Sequence, residues 1–129
     1  MSESITVLLV DEDRDILDLT ATFLEREVKR LDVETMTRTT AALETIEDDP
    51  DSVDCVVSDY TMPEMTGVEF LNAVREKDPD LPFFFFTGRD RSELEAELET
   101  ESIDGYVRKG TGTDRYAELA ADVVEAVED

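Results

Sequence analysis

The chain of 129 residues carries 35 acidic against 12 basic side chains and no histidine, for a formal net charge of -23. Binding to nucleic acid or to an anionic membrane surface is disfavoured, because neutralising phosphates takes clustered Lys and Arg and the basic residues here are scattered. The length makes residues 1–129 one domain, and a chain of about 150 residues buries roughly 68–70% of its unfolded surface, enough for a core without disulfides or structural metal.

The N-terminal stretch MSESITVLLVDED has no basic flank and too short an apolar run for a signal peptide. No segment approaches the roughly 18 consecutive apolar residues of a membrane span, so a soluble, cytoplasmic protein is expected. The run ITVLLV at 5–10 reads as a strand, and Ile16, Leu19, Phe23, Leu24 and Val28 follow it with the spacing of an amphipathic helix. A weaker, alternating run at 33–38 reads as an edge strand. Ala41, Leu43 and Ile46 then mark a second helix. The run DCVVS at 54–58 holds the only cysteine, Cys55, so no intramolecular disulfide can form and a buried, inert thiol in a reducing compartment is expected. Val68, Phe70, Leu71 and Val74 mark a third helix, PFFFF at 82–86 a fourth strand and RSELEAELE at 91–99 a polar, exposed helix. DGYVRK at 104–109 reads as a fifth, edge strand, and Tyr116, Leu119, Val123, Val124 and Val127 form the last helical stripe. Thr40, Thr66, Asp90 and Thr113 stand where N-caps belong. Strands that are continuously apolar are covered on both faces, and regular strand-helix alternation with right-handed crossovers gives a doubly wound α/β domain with a parallel sheet.

In such sheets function gathers at the carboxyl ends of the strands. Strand one ends in Asp11, Glu12 and Asp13, strand three in Asp59, strand four in Thr87 and strand five in Lys109. Crowded carboxylates call for a neutralising cation, either a metal or the nearby Lys. With no His and no paired Cys, an oxygen-preferring ion fits, Mg²⁺ best of all. A carboxylate can attack phosphorus to give an aspartyl-phosphate, and a cation would offset the charge on the transferring group. Asp13, just before the first helical stripe, reads as a helix cap. A calcium loop beginning at Asp11 fails, because Ile16 stands where the turn needs Gly and Thr22 where a bidentate Glu is required.

VLLVDED, SDYTMPEMTG, FFFFTG and GYVRKG, in this order and spacing, make the chain resemble a CheY-like response-regulator receiver domain of two-component signalling over nearly its full length. The resemblance implies a flavodoxin-like fold of strand order 2-1-3-4-5 with helices on both faces. It makes Asp59 the phospho-acceptor, and Asp11, Glu12, Asp59 and the backbone carbonyl of Thr61 the Mg²⁺ ligands. Thr87 would bind the phosphoryl group, Lys109 would pair with it and Tyr106 would be the aromatic switch, altering the face formed by the predicted helix over 91–99, the fifth strand and the last helix. Since the chain has no His, the phosphoryl group must come from a separate sensor histidine kinase or His phosphotransfer domain, and the signal would pass to a downstream protein or fused output domain.

Three departures from the family pattern stand out. Gly110 follows Lys109 where the family usually has Pro, Glu12 replaces the commoner Asp, and Arg89, with Thr61, falls at a position expected to tune the lifetime of the phosphorylated state. Two other readings remain open. One is a phosphohydrolase of the haloacid-dehalogenase type with Asp11 as nucleophile, the other a pseudo-receiver acting only as an interaction module. The remaining acids read as a solvated coat adapted to high salt, where the Debye length falls to about 3 Å at 1 M.

Overall fold

The structure, a computed structural model, describes residues 4–60, 62, 64–88, 90, 92–94, 103–109 and 114–128. Five parallel strands, β1 (Ile5–Val10), β2 (Leu31–Met36), β3 (Cys55–Ser58), β4 (Phe83–Thr87) and β5 (Gly105–Arg108), form one sheet in the order β2-β1-β3-β4-β5. The three inner strands are almost wholly buried, whereas β2 and β5 keep exposed positions as edges do.

Alternate residues of each inner strand feed two separate cores, because successive side chains point to opposite faces. Val7, Leu9, Cys55, Val57, Phe84 and Phe86 pack under α1 (Arg14–Glu27) and the final helix (Asp114–Glu128). Leu8, Val10, Val56, Phe83 and Phe85 pack under α2 (Thr39–Asp48) and α3 (Gly67–Lys77). The four consecutive phenylalanines thus divide between the faces, each burial stabilising by about 1.5–3 kcal/mol. The fold is the expected doubly wound sheet. Cys55 is free and fully buried, and burial, reinforced by the charges of Asp104 and Asp54, pushes its thiol well above its ordinary value. Among the described residues no helix is long and apolar enough to cross a membrane.

Several local expectations are corrected. β2 begins two residues early, since Leu31 pairs with Ile5 and is buried. Asp54 and Asp104, expected as first strand residues, instead turn carboxylates onto neighbouring strand starts: Asp54 accepts from the Thr6 amide at 2.8 Å and Asp104 from the Phe83 amide at 2.7 Å. The inward face of α1 is Leu17, Thr20 and Leu24, and Leu19 is 46% exposed. A threonine in the middle of that face disguised it. Of the predicted helix over 91–99, residues 92–94 are helical, and Asp90 accepts from the Glu93 and Leu94 amides through its carbonyl; the rest, like the expected cap Thr113, lies outside the described residues.

Helix α2 starts one residue before the expected cap Thr40. Its N-cap is Arg38, whose side chain caps nothing. Acceptors come instead from Glu64, in the segment between β3 and α3. One of its oxygens accepts from Arg38 Nη2 at 3.0 Å and Nε at 3.3 Å, and the other from Thr39 Oγ1 at 3.4 Å. Arg38, first by its hydrogen bond, holds the Glu64 carboxyl below its ordinary value. A carboxylate at a helix N-terminus also meets the positive end of the helix dipole.

Two measurements follow from these features. A depressed carboxylate stabilises the fold above its unfolded pKa of about 4.3 and loses that contribution as pH falls through the lower folded value. Wild type should therefore exceed Glu64→Gln in urea stability at neutral pH, and the gap should close in acid. Thr20 Oγ1 is buried without a hydrogen-bond partner among the described residues, so Thr20→Val, which keeps the shape and removes the orphan hydroxyl, should raise unfolding stability by about 1 kcal/mol.

Candidate functional site

Where β1 ends, the chain turns through linked carboxylate caps. Asp11, 4% exposed, donates its amide to the Met36 carbonyl at 3.2 Å and accepts from the Asp13 amide through Oδ1 at 2.9 Å. Asp13 in turn accepts from the amides of Asp15 and Ile16, so it is the N-cap of α1 as expected. Asp59 leaves β3 beside it, its amide donating to the Val10 carbonyl at 3.0 Å and its Oδ1 accepting from the Tyr60 amide at 2.7 Å.

The segment after Asp59 must return sharply to start α3. Gly67 permits this, because a Cβ there would lie 2.8 Å from the Phe85 ring and 2.8 Å from the Tyr60 carbonyl oxygen. Thr66 closes the helix start with a full capping box to Glu69. The expected cap is the observed one.

Lys109 arrives from the far edge of the sheet. Its amide donates to the Thr87 carbonyl at 2.8 Å, tying the end of β5 to the end of β4. Its ammonium lies 2.6 Å from Asp11 Oδ2 and 3.6 Å from Asp59 Oδ2. The same Nζ stands 5.7 Å from the centre of the Phe86 ring. Asp11, Asp59 and Lys109 are thus brought together at one sheet edge, with Thr87, 2% exposed, closing β4 alongside. Glu12 is at the same strand end and exposed. Tyr106 is half-buried on β5 opposite Phe85 and packs against the core under α2 and α3. Thr61, Arg89 and Gly110 lie outside the described residues.

Two carboxylates against one ammonium leave the cluster with a surplus negative charge, and every donor it offers is oxygen. Such a set suits a hard divalent cation. Among the described residues no three acidic, His or Cys side chains converge into a ready-made cage. No sequence pattern marks Glu64 or Phe86 as part of this region. Glu64 meets a partner 26 residues away, which no local pattern reports. Phe86 reads as core, and it is core; only the fold shows that its ring also faces Lys109.

Comparison with known proteins gives a consistent result. The response regulator SaeR of Staphylococcus aureus is 29% identical over 103 residues, 80% of this chain and 43% of SaeR, so the chain spans less than half the length of that relative. A response regulator receiver domain protein from Clostridium thermocellum superposes with a TM-score of 0.82 at 22% identity, over 96% of this chain and 94% of that one. The response regulator TrrA from Thermotoga maritima, solved in complex with Mg²⁺-BeF, gives 0.78 at 24% identity over 92% and 98%. The family model of the response regulator receiver domain matches residues 7–121, a span that takes in Asp11, Asp59, Thr87 and Lys109, and the chain belongs to that family, a receiver domain of two-component signalling.

Proposed function

We propose that Asp59 accepts a phosphoryl group from a partner phosphohistidine and that the change is relayed through Thr87 and Tyr106 to the surface. The observation that carries this reading is the ammonium of Lys109 set against both carboxylates, 2.6 Å from Asp11 and 3.6 Å from Asp59. A bond forms between an Asp59 carboxylate oxygen and phosphorus as the phosphorus-nitrogen bond of the donor breaks, and the departing imidazole keeps the electron pair. Lys109, already beside Asp59, pairs with the phosphoryl oxygens, and the Thr87 hydroxyl donates to one of them. Asp11 and Asp59, with Glu12 and the Thr61 carbonyl, would hold Mg²⁺, which supplies positive charge against the oxygens of the transferring group. Tyr106 then moves inward, and the β5 side of the domain changes its affinity for a partner. Such a switch shifts a two-state equilibrium by the differential stabilisation the phosphoryl group provides.

The donor is a sensor kinase or a His phosphotransfer domain, because these 129 residues contain no histidine to carry the group. The output is a downstream protein or a fused domain, as the greater length of SaeR suggests. A phosphohydrolase with Asp11 as nucleophile is less well supported: the Asp11 side chain is 6% exposed against 15% for Asp59, and its Oδ2 lies 2.6 Å from the Lys109 ammonium against 3.6 Å for Asp59 Oδ2.

Acetyl phosphate with Mg²⁺ should place an acid-stable, hydroxylamine-labile label on the wild type, and Asp59→Asn or chelation should abolish it. Label that survives Asp59→Asn and vanishes in Asp11→Asn would reverse the roles of the two acids. Total absence of label would leave a pseudo-receiver. Mg²⁺ at tenfold its dissociation constant should also stabilise the fold by about 1.4 kcal/mol.

We also propose that the acidic coat is an adaptation to high salt. Asp122 illustrates it, with its carboxyl raised above the ordinary value by burial and then by the charges of Glu118 and Glu125 on the same helix. Screening relieves such repulsion, so the melting temperature should climb from about 0.1 M into molar KCl. A melting temperature indifferent to KCl would count against this adaptation.

A further inference from the structure

We infer that Phe86 is a positioning residue for Lys109, its ring face holding the ammonium between the two carboxylates while Tyr116 and Phe23 brace the ring from behind. The inference rests on the phosphotransfer reading of the site. Lys109 is fixed by the bond from its amide to the Thr87 carbonyl, but beyond its Cα runs a long flexible stem, and the next residue is glycine, the least restrained of all. The ammonium therefore needs lateral support. Asp11 at 2.6 Å supplies one contact, yet that ion pair alone would hold the charge away from Asp59, 3.6 Å off, where the phosphoryl group arrives.

A ring face is a different kind of partner. Its attraction for a cation is spread over the whole π surface, so the ammonium can slide from one carboxylate towards the other without leaving it. The Phe86 ring centre is 5.7 Å from Lys109 Nζ, within the range of that attraction, and the residue is only 4% exposed, so its side of the contact is shielded from water. The ring is itself held in place. Tyr116 on the final helix lies against it at 5.9 Å and 57°, and Phe23 on α1 stacks on Tyr116 at 4.7 Å and 8°. Three elements thus contribute rings to one support. Filling this core position would need only an aliphatic side chain; holding a cation above it needs the aromatic one.

Only three lysines occur, Lys29, Lys77 and Lys109, so their ε-methylene resonances can be assigned by Lys109→Met. In the wild type the Lys109 signal should be displaced upfield by the ring current, and Phe86→Leu should return it to the position of the other two. With acetyl phosphate, Phe86→Leu should slow labelling of Asp59 about threefold to tenfold, the factor expected for one cation-ring contact. Val123→Ala, a truncation in the same core but remote from Lys109, should leave the rate near wild type. An undisplaced Lys109 signal, a displacement that survives Phe86→Leu, or equal slowing by Val123→Ala would overturn the inference. If wild type takes no label at Asp59 at all, the phosphotransfer reading fails, and the resonance position still decides whether the ring holds the ammonium.

Discussion

Two carboxylates brought to one edge of a buried sheet repel each other unless a cation stands beside them, and the fold delivers one in Lys109, 2.6 Å from Asp11 and 3.6 Å from Asp59. Asp11 and Asp59 end neighbouring strands, β1 and β3, paired in register from Val7 with Cys55 to Val10 with Ser58. Their proximity is thus a direct result of strand order. The neutralising group comes from 98 residues along the chain from Asp11, on the residue that follows β5. With strands about 4.8 Å apart, β5 lies roughly 10 Å from β3. A lysine stem can cross that gap over the end of β4, where Thr87 anchors its backbone and Phe86 lies beneath its head group. An arginine would put a broad planar fork into the same space, with a different geometry and no point charge to transfer between oxygens.

The same edge depends on how the chain leaves β3. After Asp59 the backbone has to turn within a few residues into α3, and Gly67 lies so close to Tyr60 and Phe85 that any side chain would displace the loop. On its other side the loop is tied to α2 through Glu64. Asp59 is therefore followed by a segment fastened at two points: by glycine packing and a capping box at the start of α3, and by an ion pair with shared hydroxyl bonds from Glu64 towards α2. Neither fastening touches the acid directly. Both restrict where its carboxylate can go.

What the sequence shows of this fold, and what it hides, follows the range of the interactions. The inner strands are legible because continuous apolar runs report burial on both faces, and Asp11, Asp59, Thr87 and Lys109 are legible because each ends such a run or follows it directly. The cap Asp13 and the capping box at Thr66 are local, within three residues, and can be read. The face of α1 cannot, since Thr20 occupies a core position that periodicity assigns to an apolar residue, and Leu19 takes the outward place. The start of α2 is hidden for another reason: its capping acceptor is a distant glutamate. Phe86 is hidden by its neighbours, because four identical residues in a row give no clue as to which one faces a charge.

The large negative charge acts differently at the surface and at the site. Exposed pairs such as Arg108 with Asp90, each side chain about half exposed, contribute at most about 1 kcal/mol and weaken as salt rises. Lys109 and Asp11, 24% and 6% exposed, are removed from most of that screening. Removing Lys109 would leave Asp11 and Asp59 without the cation they share, at a cost of several kcal/mol. Rising ionic strength therefore relieves repulsion across the coat while leaving the Lys109 cluster nearly as tightly paired as before. The net charge of -23 is screened at the surface, whereas the local field around Asp59 is set by the partners beside it, Lys109 and Asp11.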